Sequence, residues 1–232
     1  MHLKRITIDS ARFPTADEYP YTLPLLRETD AIEFTTPVTF FVGENGSGKS
    51  TVLEAICRAC DIHIWELTQR ARVRANQYER SLHLFMRPEW TAGPVVGAHF
   101  GSDRFRDFSS LLEEWAMADP GQLKYFGGKS LLSQSHGQSL MSCFGARFSR
   151  KGLYFLDEPE TALSPRTQLA FVDVVQRAAT SGVAQFVIAT HSPILMSVPG
   201  ATIYSFDTSP VAPLAFEQTD HFAVYKEFFD GR

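Results

Sequence analysis

A glycine-rich run near residue 45 carries the clearest chemical signal in the sequence. It matches the pattern G-x-x-x-x-G-K-[ST], and it lies between an apolar run and an amphipathic stretch, which is the context of a phosphate-binding loop. Backbone N–H groups of such a loop wrap a phosphate, the lysine reaches the β and γ phosphates, and the adjacent hydroxyl ligates Mg²⁺. We therefore expect Lys49 to serve binding and catalysis, and Ser50 to be a metal ligand. The predicted nucleotide-binding residues are Gly43, Glu44, Asn45, Gly46, Ser47, Gly48, Lys49, Ser50 and Thr51.

Two adjacent carboxylates, Asp157 and Glu158, follow a second apolar run at 153–156. This run predicts a buried strand, and the carboxyl end of a strand in an α/β sheet faces the ligand crevice. Because successive strand residues point to opposite sides, the two acids are expected to have different roles. We expect Asp157 to hold the magnesium and Glu158 to act as the general base that polarises the attacking water.

A second anion site is predicted at Ser135-His136-Gly137-Gln138, because its small residues precede an amphipathic stretch and would expose backbone N–H groups at a helix start. The glycine-rich loop already has a phosphate to hold. Ser135, Gly137 and Gln138 are therefore more naturally offered to a nucleotide that is bound by another copy of the chain. Taken alone, the tetrapeptide is more typical of a plain loop.

A histidine, His191, follows another apolar run, Phe186-Val187-Ile188-Ala189. If that run is a strand of the same sheet, His191 lies at the same edge as the two carboxylates. A histidine there can donate a hydrogen bond to a γ-phosphate oxygen and respond to its departure. The interpretation as a plain surface or core histidine is less favoured, and His191 is a candidate catalytic residue.

The elements that must position these residues follow from the hydrophobic pattern. The runs at 38–42, 153–156 and 186–189 predict buried parallel strands, and apolar spacing after residue 51 predicts a helix packed on the sheet. Ser164-Pro165 opens a predicted helix that ends near residue 180, and further strands are predicted at 202–207 and 213–217. From about 61 to 148 the pattern is helical and more polar, with a short helix opening at a capping box at Ser110. We interpret 1–232 as a single domain with this helical lobe inserted in an α/β core.

The composition excludes several classes of protein. The chain has 232 residues, 44% of them hydrophobic, and a net charge of −4, so no global electrostatic drive toward nucleic acid or anionic membrane is expected. Three cysteines form no disulfide framework. With neither a signal peptide nor an apolar run long enough to cross a bilayer, the sequence predicts a soluble cytoplasmic protein. Arginines outnumber acids between residues 58 and 106, which leaves local contact with nucleic acid open.

Taken in order, the motifs GENGSGKST, SQSHGQS, LYFLDEPE, ALS and THSP resemble those of ABC-type ATPases: Walker A, signature, Walker B, D-loop and switch histidine. In finer detail the chain is similar to small stand-alone bacterial AAA-type ATPases. The resemblance implies a P-loop α/β fold with a mostly parallel central sheet, N-terminal antiparallel strands and a helical lobe. It also implies a nucleotide site that contains Arg12 and lies between two subunits, with Ser135 and Gly137 of one copy meeting the γ-phosphate held by Lys49 of the other.

The sequence leaves open what such an ATPase would act on. The first interpretation is a Mg²⁺-dependent ATPase that forms a homodimer on ATP and acts as a switch for a partner protein or nucleic acid. A nucleotide-binding subunit of a membrane transporter would need a glutamine loop and a coupling surface that the sequence does not reveal. A third interpretation is a nucleic-acid-handling ATPase related to the SMC and repair group, in which the compact lobe would make any DNA contact. An ATPase that works with a nuclease in trans is a fourth. The aromatic residue that stacks on adenine is left open among Phe13, Tyr19 and Tyr21.

Overall fold

A computed structural model describes residues 1–64, 76–101, 105–126, 128, 130, 132–133 and 136–231. Its main sheet has six strands in the order β5-β6-β7-β3-β8-β9, of which the first five are parallel and the last is antiparallel to its neighbour. The strands are β3 (Val38–Val42), β5 (Gly97–Gly101), β6 (Gly152–Asp157), β7 (Ala184–Ala189), β8 (Thr202–Ser205) and β9 (Ala212–Leu214). Every residue of β3 and β7 is buried, because both faces of the sheet are covered.

A separate antiparallel sheet covers one end of the core. Its strands, in the spatial order β2-β1-β4, are β1 (Leu3–Ile8), β2 (Ala31–Glu33) and β4 (Met86–Trp90). The buried side chain of Gln185 joins the two sheets: its Oε1 accepts from the N–H groups of His2 and Leu3 at 2.7 and 2.8 Å, and its Nε2 donates to Leu3 O at 2.9 Å. The α/β fold, with a mostly parallel sheet and antiparallel N-terminal strands, is thus as the sequence predicts.

Helices pack on both faces of the main sheet. The helices of the described residues are α1 (Pro24–Glu28), α2 (Lys49–Ala59), α3 (Phe105–Ala118), α4 (His136–Arg147), α5 (Pro165–Thr180), α6 (Pro193–Met196) and α7 (Asp220–Asp230), of which α7 buries no residue. Successive side chains of β3 point to opposite faces of the sheet, so they contribute to two separate parts of the core. Phe41 packs with α2 and the antiparallel sheet, while Phe40 packs with α4 and α5. Helix α5 begins as predicted: the Ser164 side chain accepts from Thr167 N at 3.3 Å.

The segment predicted as a helical lobe, about 61–148, needs a correction in its secondary structure. It contributes β4 to the antiparallel sheet and β5 to the edge of the main sheet, and helix α3 begins at Phe105, five residues before the predicted start at Ser110. Pro88 lies within β4, which is an edge strand, and there its missing N–H is tolerated. The extent of the domain and the insertion itself stay predictions. Within the described ranges, no helix is long and apolar enough to cross a bilayer.

Candidate functional site

Three neighbouring parallel strands bring the predicted site residues to one edge of the sheet. β6, β7 and β3 lie side by side, and Ala189 at the end of β7 is in register with Asp157 on one side and Phe41 on the other. The glycine-rich loop follows β3, the two carboxylates end β6, and His191 follows β7. The sheet alone therefore assembles groups that are about 150 residues apart in the sequence.

Two glycines of the loop after β3 combine a positive φ with a lack of room for a Cβ. Gly43 has φ +148°, and a Cβ there would lie 2.8 Å from Asp207 Oδ1. The same carboxylate oxygen accepts from Glu44 N at 2.7 Å, so Asp207, just beyond β8, holds the start of the loop. Gly48 has φ +98°, and a Cβ there would meet the Leu23 side chain at 2.9 Å. Larger residues would displace this loop from the helix that it opens.

Lys49 is buried within its own loop. Its Nζ donates to the carbonyl oxygens of Gly43 at 2.7 Å and Glu44 at 2.9 Å. Desolvation lowers the pKa of Lys49, and the nearby carboxylates Glu158, Asp207, Asp157 and Glu44 oppose that shift. The buried Ser47 Oγ has no hydrogen-bond partner in the described part of the chain. A buried ammonium and an unsatisfied hydroxyl in a glycine-rich loop fit a phosphate, whose oxygens would pair with both.

Ser50 connects the loop to the end of β6. Its Oγ donates to Asp157 Oδ1 at 2.9 Å. Ser50 lies in the first turn of α2 and Asp157 is the last residue of a buried strand, so regular secondary structure holds both oxygens in place. Hard oxygen donors of this kind are what Mg²⁺ prefers when it also binds nucleotide phosphates. The pair therefore fits the metal that the sequence predicts.

Glu158 is placed beside His191 by an unusual backbone. Its φ of 46° and ψ of 53° are left-handed, which is uncommon for a residue other than glycine, and its N–H donates to Ala189 O at 2.9 Å. The Glu158 carboxylate then lies 3.8 Å from His191 Nε2. That nitrogen is buried and has no hydrogen-bond partner among the described residues. Burial lowers the pKa of His191, as do Lys49 and His221, while Glu158 and Glu44 raise it.

Other contacts hold His191 from behind. Its backbone N–H donates to Glu160 Oε1 at 2.6 Å, and its Nδ1 lies 3.1 Å from His221 Nε2, at the start of α7. Burial raises the pKa of the Glu160 carboxyl above its ordinary value. Sequence reasoning assigned no role to Glu160 or His221. Glu160 is the last residue of the LYFLDEPE motif, and this position was a signal for a role in the site. In contrast, nothing in the sequence pattern links His221 to a residue 30 positions earlier.

Two family models match the chain. One, an AAA domain, matches residues 21–69, and the other, whose description names an AAA domain, the AbiEii toxin and a type IV TA system, matches residues 121–197. Among solved structures, the SMC head bound to the C-terminal winged-helix domain of ScpA superposes with a TM-score of 0.53. That match is 12% identical and covers 94% of this chain and 98% of the other. The chain has an ABC-like AAA ATPase fold.

A second structure supports the same fold. CbiO1 from Clostridium perfringens, part of the CbiONQ ABC transporter complex, superposes with a TM-score of 0.53 and 14% identity over 97% of this chain and 94% of that one. At these identities the likeness is one of fold alone. No curated protein matches the chain. The resemblance to ABC-type ATPases is confirmed for the fold, and a P-loop ATPase fold implies nucleotide binding.

Within this ABC-like ATPase fold, the structure reduces the number of aromatic residues that could stack on adenine. Tyr21 is fully buried, and Phe13 packs against it with ring centroids 4.7 Å apart, so both belong to the core. Tyr19 is 41% exposed, and its hydroxyl contacts Thr51 Oγ1 in a cavity that Arg58 and other side chains also line. Of the three aromatic residues, Tyr19 has the face available for a base.

Arg12 lies on an exposed 3₁₀ turn, Ser10–Arg12, rather than on the loop itself. Its guanidinium is 3.8 Å from Asp9, and Asp9 is also 3.7 Å from Arg87. The structure thus gives Arg12 an acidic partner of its own, and its contact with nucleotide stays a prediction that the resemblance alone carries.

The start of α4 packs on the turn that follows Glu158. Ser135 lies outside the described residues, but Gly137 and Gln138 are within them. A Cβ on Gly137 would lie 2.9 Å from Ala162 O, so glycine permits α4 to approach the 3₁₀ turn Pro159–Ala162 closely. Gln138 is exposed. This predicted second anion site is therefore attached to the end of β6, where Glu158 lies, through one short turn.

Proposed function

We propose that this chain is a Mg²⁺-dependent ATPase that binds ATP between two copies of itself, and that ATP-driven dimerisation and hydrolysis switch a partner protein or nucleic acid. The observation that carries the proposal is the Ser50–Asp157 hydrogen bond of 2.9 Å. It joins the glycine-rich loop to the carboxylate strand in an ABC-like ATPase fold, with Lys49, Glu158 and His191 at the same edge.

The residues take roles that their positions favour. Lys49 binds the β and γ phosphates, for which it gives up its contacts with the loop carbonyls. Ser50 and Asp157 hold Mg²⁺, which would neutralise charge on the phosphates. Glu158, whose side chain is 37% exposed, has the solvent access that a general base needs to take a proton from water. His191 donates from Nε2 to the γ-phosphate.

The start of α4 supports dimerisation. A helix N-terminus attracts anions, and α4 begins at His136, inside the Ser135-His136-Gly137-Gln138 run of the sequence. The loop after β3 already offers its own N–H groups and Lys49 to a phosphate. We therefore assign Ser135, Gly137 and Gln138 to the nucleotide of the second copy, so that each of the two sites needs both copies.

The nature of the partner rests on weaker support. Of the arginines between residues 58 and 106, Arg58 lies 3.8 Å from Glu54 and Arg87 lies 3.7 Å from Asp9, which favours neutralised surface charge over a nucleic-acid contact. Arg70, Arg72, Arg74 and Arg104 lie outside the described residues. A transporter partner and a nuclease in trans remain alternatives that no contact in the described chain favours.

The test is an ATP-locked dimer. Glu158→Gln removes the base and keeps the shape, so ATP hydrolysis should fall by about 100-fold or more while ATP and Mg²⁺ still bind. Light scattering should then show the 26.0 kDa chain doubling in mass with ATP and Mg²⁺. The matched control is Glu227→Gln on the exposed part of α7, which should hydrolyse ATP at the wild-type rate. A Glu158→Gln protein that stays monomeric with saturating ATP would contradict the two-copy site.

A further inference from the structure

A pair of histidines joins the catalytic edge to the last helix. His191 Nδ1 and His221 Nε2 are 3.1 Å apart, and the ring planes are inclined at 54°. Helix α7 is otherwise exposed along its length: no residue from 223 to 231 is buried. Its first turn is thus the part of α7 that reaches the site.

The position of His221 is fixed by a buried helix cap. Thr219 is 1% exposed, its Oγ1 accepts from Phe222 N at 3.1 Å, and the same hydroxyl donates to Phe216 O at 2.7 Å. Phe216 and Phe222 also pack edge to face, with ring centroids 5.1 Å apart. Although most of α7 is exposed, its first turn is anchored, and the His221 ring is held against His191 rather than presented by a free terminus.

The pairing has a consequence for where the protons lie. When both rings are neutral, a hydrogen bond between two ring nitrogens needs one of them to carry the hydrogen and the other to accept it. The opposite nitrogen of His191, Nε2, is the buried atom that lies 3.8 Å from the Glu158 carboxylate and has no hydrogen-bond partner within the described chain. If Nδ1 carried the hydrogen, a lone pair on Nε2 would face both that carboxylate and an incoming phosphate.

We propose that His221 is a positioning residue that donates its Nε2–H to His191 Nδ1 and so holds the His191 ring with its own hydrogen on Nε2, aimed at the γ-phosphate. The inference rests on the proposed function for its catalytic consequence. Burial and Lys49 lower the pKa of His191 against the opposing effect of Glu158 and Glu44, which keeps the ring neutral at pH 7 and makes the choice of tautomer matter.

Three variants test the contact. His221→Leu removes the donor. His221→Gln restores it, because the glutamine amide nitrogen is the same number of bonds from the backbone as the histidine Nε2. His221→Asn is the matched control, since its amide group is one bond shorter and falls short of His191. Tyr225→Ala, one turn further along the exposed part of α7, controls for disturbance of the helix itself.

The direct readout needs no nucleotide. In protein labelled with ¹⁵N-histidine, the ring nitrogens of His191, assigned by their loss in His191→Gln, should report a neutral ring with hydrogen on Nε2 at pH 7. In His221→Leu and His221→Asn the two nitrogen shifts should move toward each other as the tautomers exchange, and in His221→Gln they should return to the wild-type values. Hydrogen on Nδ1 of His191 in the wild type, or shifts that are equal in all variants, would overturn the inference.

The kinetic readout separates positioning from folding. His221→Leu should lower kcat by about 10-fold, the usual size of an outer-partner effect, with KM and Tm unchanged. His221→Gln should recover most of that loss, and His221→Leu should cost nothing further in a His191→Ala background. A further loss in that background would mean that His221 acts independently, which overturns the inference. A wild-type protein without ATPase activity, but with the expected nitrogen shifts, would remove the proposed function and leave the histidine contact standing.

Discussion

The two halves of the proposed nucleotide site are built in different ways. The half at the strand ends is complete within one chain: the glycine-rich loop, Asp157 and His191 are held by three adjacent parallel strands, and Ser50 already pairs with Asp157. The half at the start of α4 stands on a 3₁₀ turn and exposes Gln138. The first half is defined by the sheet, and the proposed function assigns the second half to the nucleotide of another copy.

This difference between the two halves indicates which residues can be studied in a single copy and which need two copies. Changes at the glycine-rich loop should alter nucleotide binding by a single copy, whereas changes at α4 should leave that binding intact and act on the nucleotide of the second copy. The two halves meet at the turn Pro159–Ala162, which follows Glu158 directly and packs closely on Gly137 of α4 at Ala162 O. The strand-end half can therefore be broken without the other, and the α4 half can be tested only in pairs of copies.

The largest expected effect is at the strand ends. Lys49→Ala removes the buried ammonium that is aimed at the phosphates, so ATP affinity should fall by about 100-fold or more in calorimetry. Lys151→Ala, an exposed lysine just before β6 at the opposite end of that strand, is the matched control and should bind ATP as the wild type does. Unchanged affinity of Lys49→Ala would place the nucleotide elsewhere.

At the α4 half, we expect an effect that appears only between copies. Gln138→Glu puts a carboxylate at the exposed start of α4, where it would repel the phosphates of the second copy. ATP binding to the monomer should be retained, while dimerisation in the Glu158→Gln background weakens by about 10-fold.

Mixing variants sharpens this comparison. A dimer of one Lys49→Ala copy and one Gln138→Glu copy contains a single site with an intact loop and an intact α4. The mixture should therefore hydrolyse ATP faster than the sum of the two proteins measured separately. If mixing restored nothing while each protein stayed folded, α4 would act on the nucleotide of its own chain.

The strand-end half was largely predictable because burial on both faces leaves a clear pattern. β3, β6 and β7 are nearly continuous apolar runs, and their register then fixes where the following polar residues lie. The glycines of the loop are equally informative, since Gly43 and Gly48 have positive φ and no room for a Cβ. Local sequence sufficed wherever sterics or two-sided burial restricted the choice of residue.

Other elements were hidden for physical reasons. β4 is a half-exposed edge strand that contains a proline, and β5 is a five-residue strand bounded by Gly97 and Gly101, so neither has the apolar run of a central strand. Helix α7 buries no residue, which leaves it without a stripe that faces a core. The contact between His191 and His221 depends on tertiary folding alone, because strands β8 and β9 lie between the two residues in the sequence.

The smallest expected effect concerns Glu160, which holds the backbone of His191 in the strand-end half. Its Oε1 accepts from His191 N at 2.6 Å, and burial raises the pKa of its carboxyl. A carboxyl with a raised pKa keeps its proton in the folded chain at pH values where the unfolded chain has lost it. Folding stability from this group is therefore present below the unfolded pKa of about 4.5 and declines as the pH rises through the folded value.

Glu160→Gln removes that titration and keeps an oxygen that can accept from His191 N. The wild type should therefore lose stability relative to the variant as the pH rises from about 4.5 to 8. The Tm of the variant minus the Tm of the wild type should increase by roughly 2 °C over this range, which is the change that a fraction of a kcal/mol produces in a domain of this length. Thermal unfolding followed by circular dichroism across that range measures it. Glu217→Gln, which changes an exposed acid near the start of α7 in the same way, is the matched control for the loss of one carboxylate. A Tm difference for Glu160→Gln that is flat, or that moves toward the wild type at high pH, would mean that the buried carboxyl is ionised in the folded chain and that the strand-end half carries one more negative charge around His191.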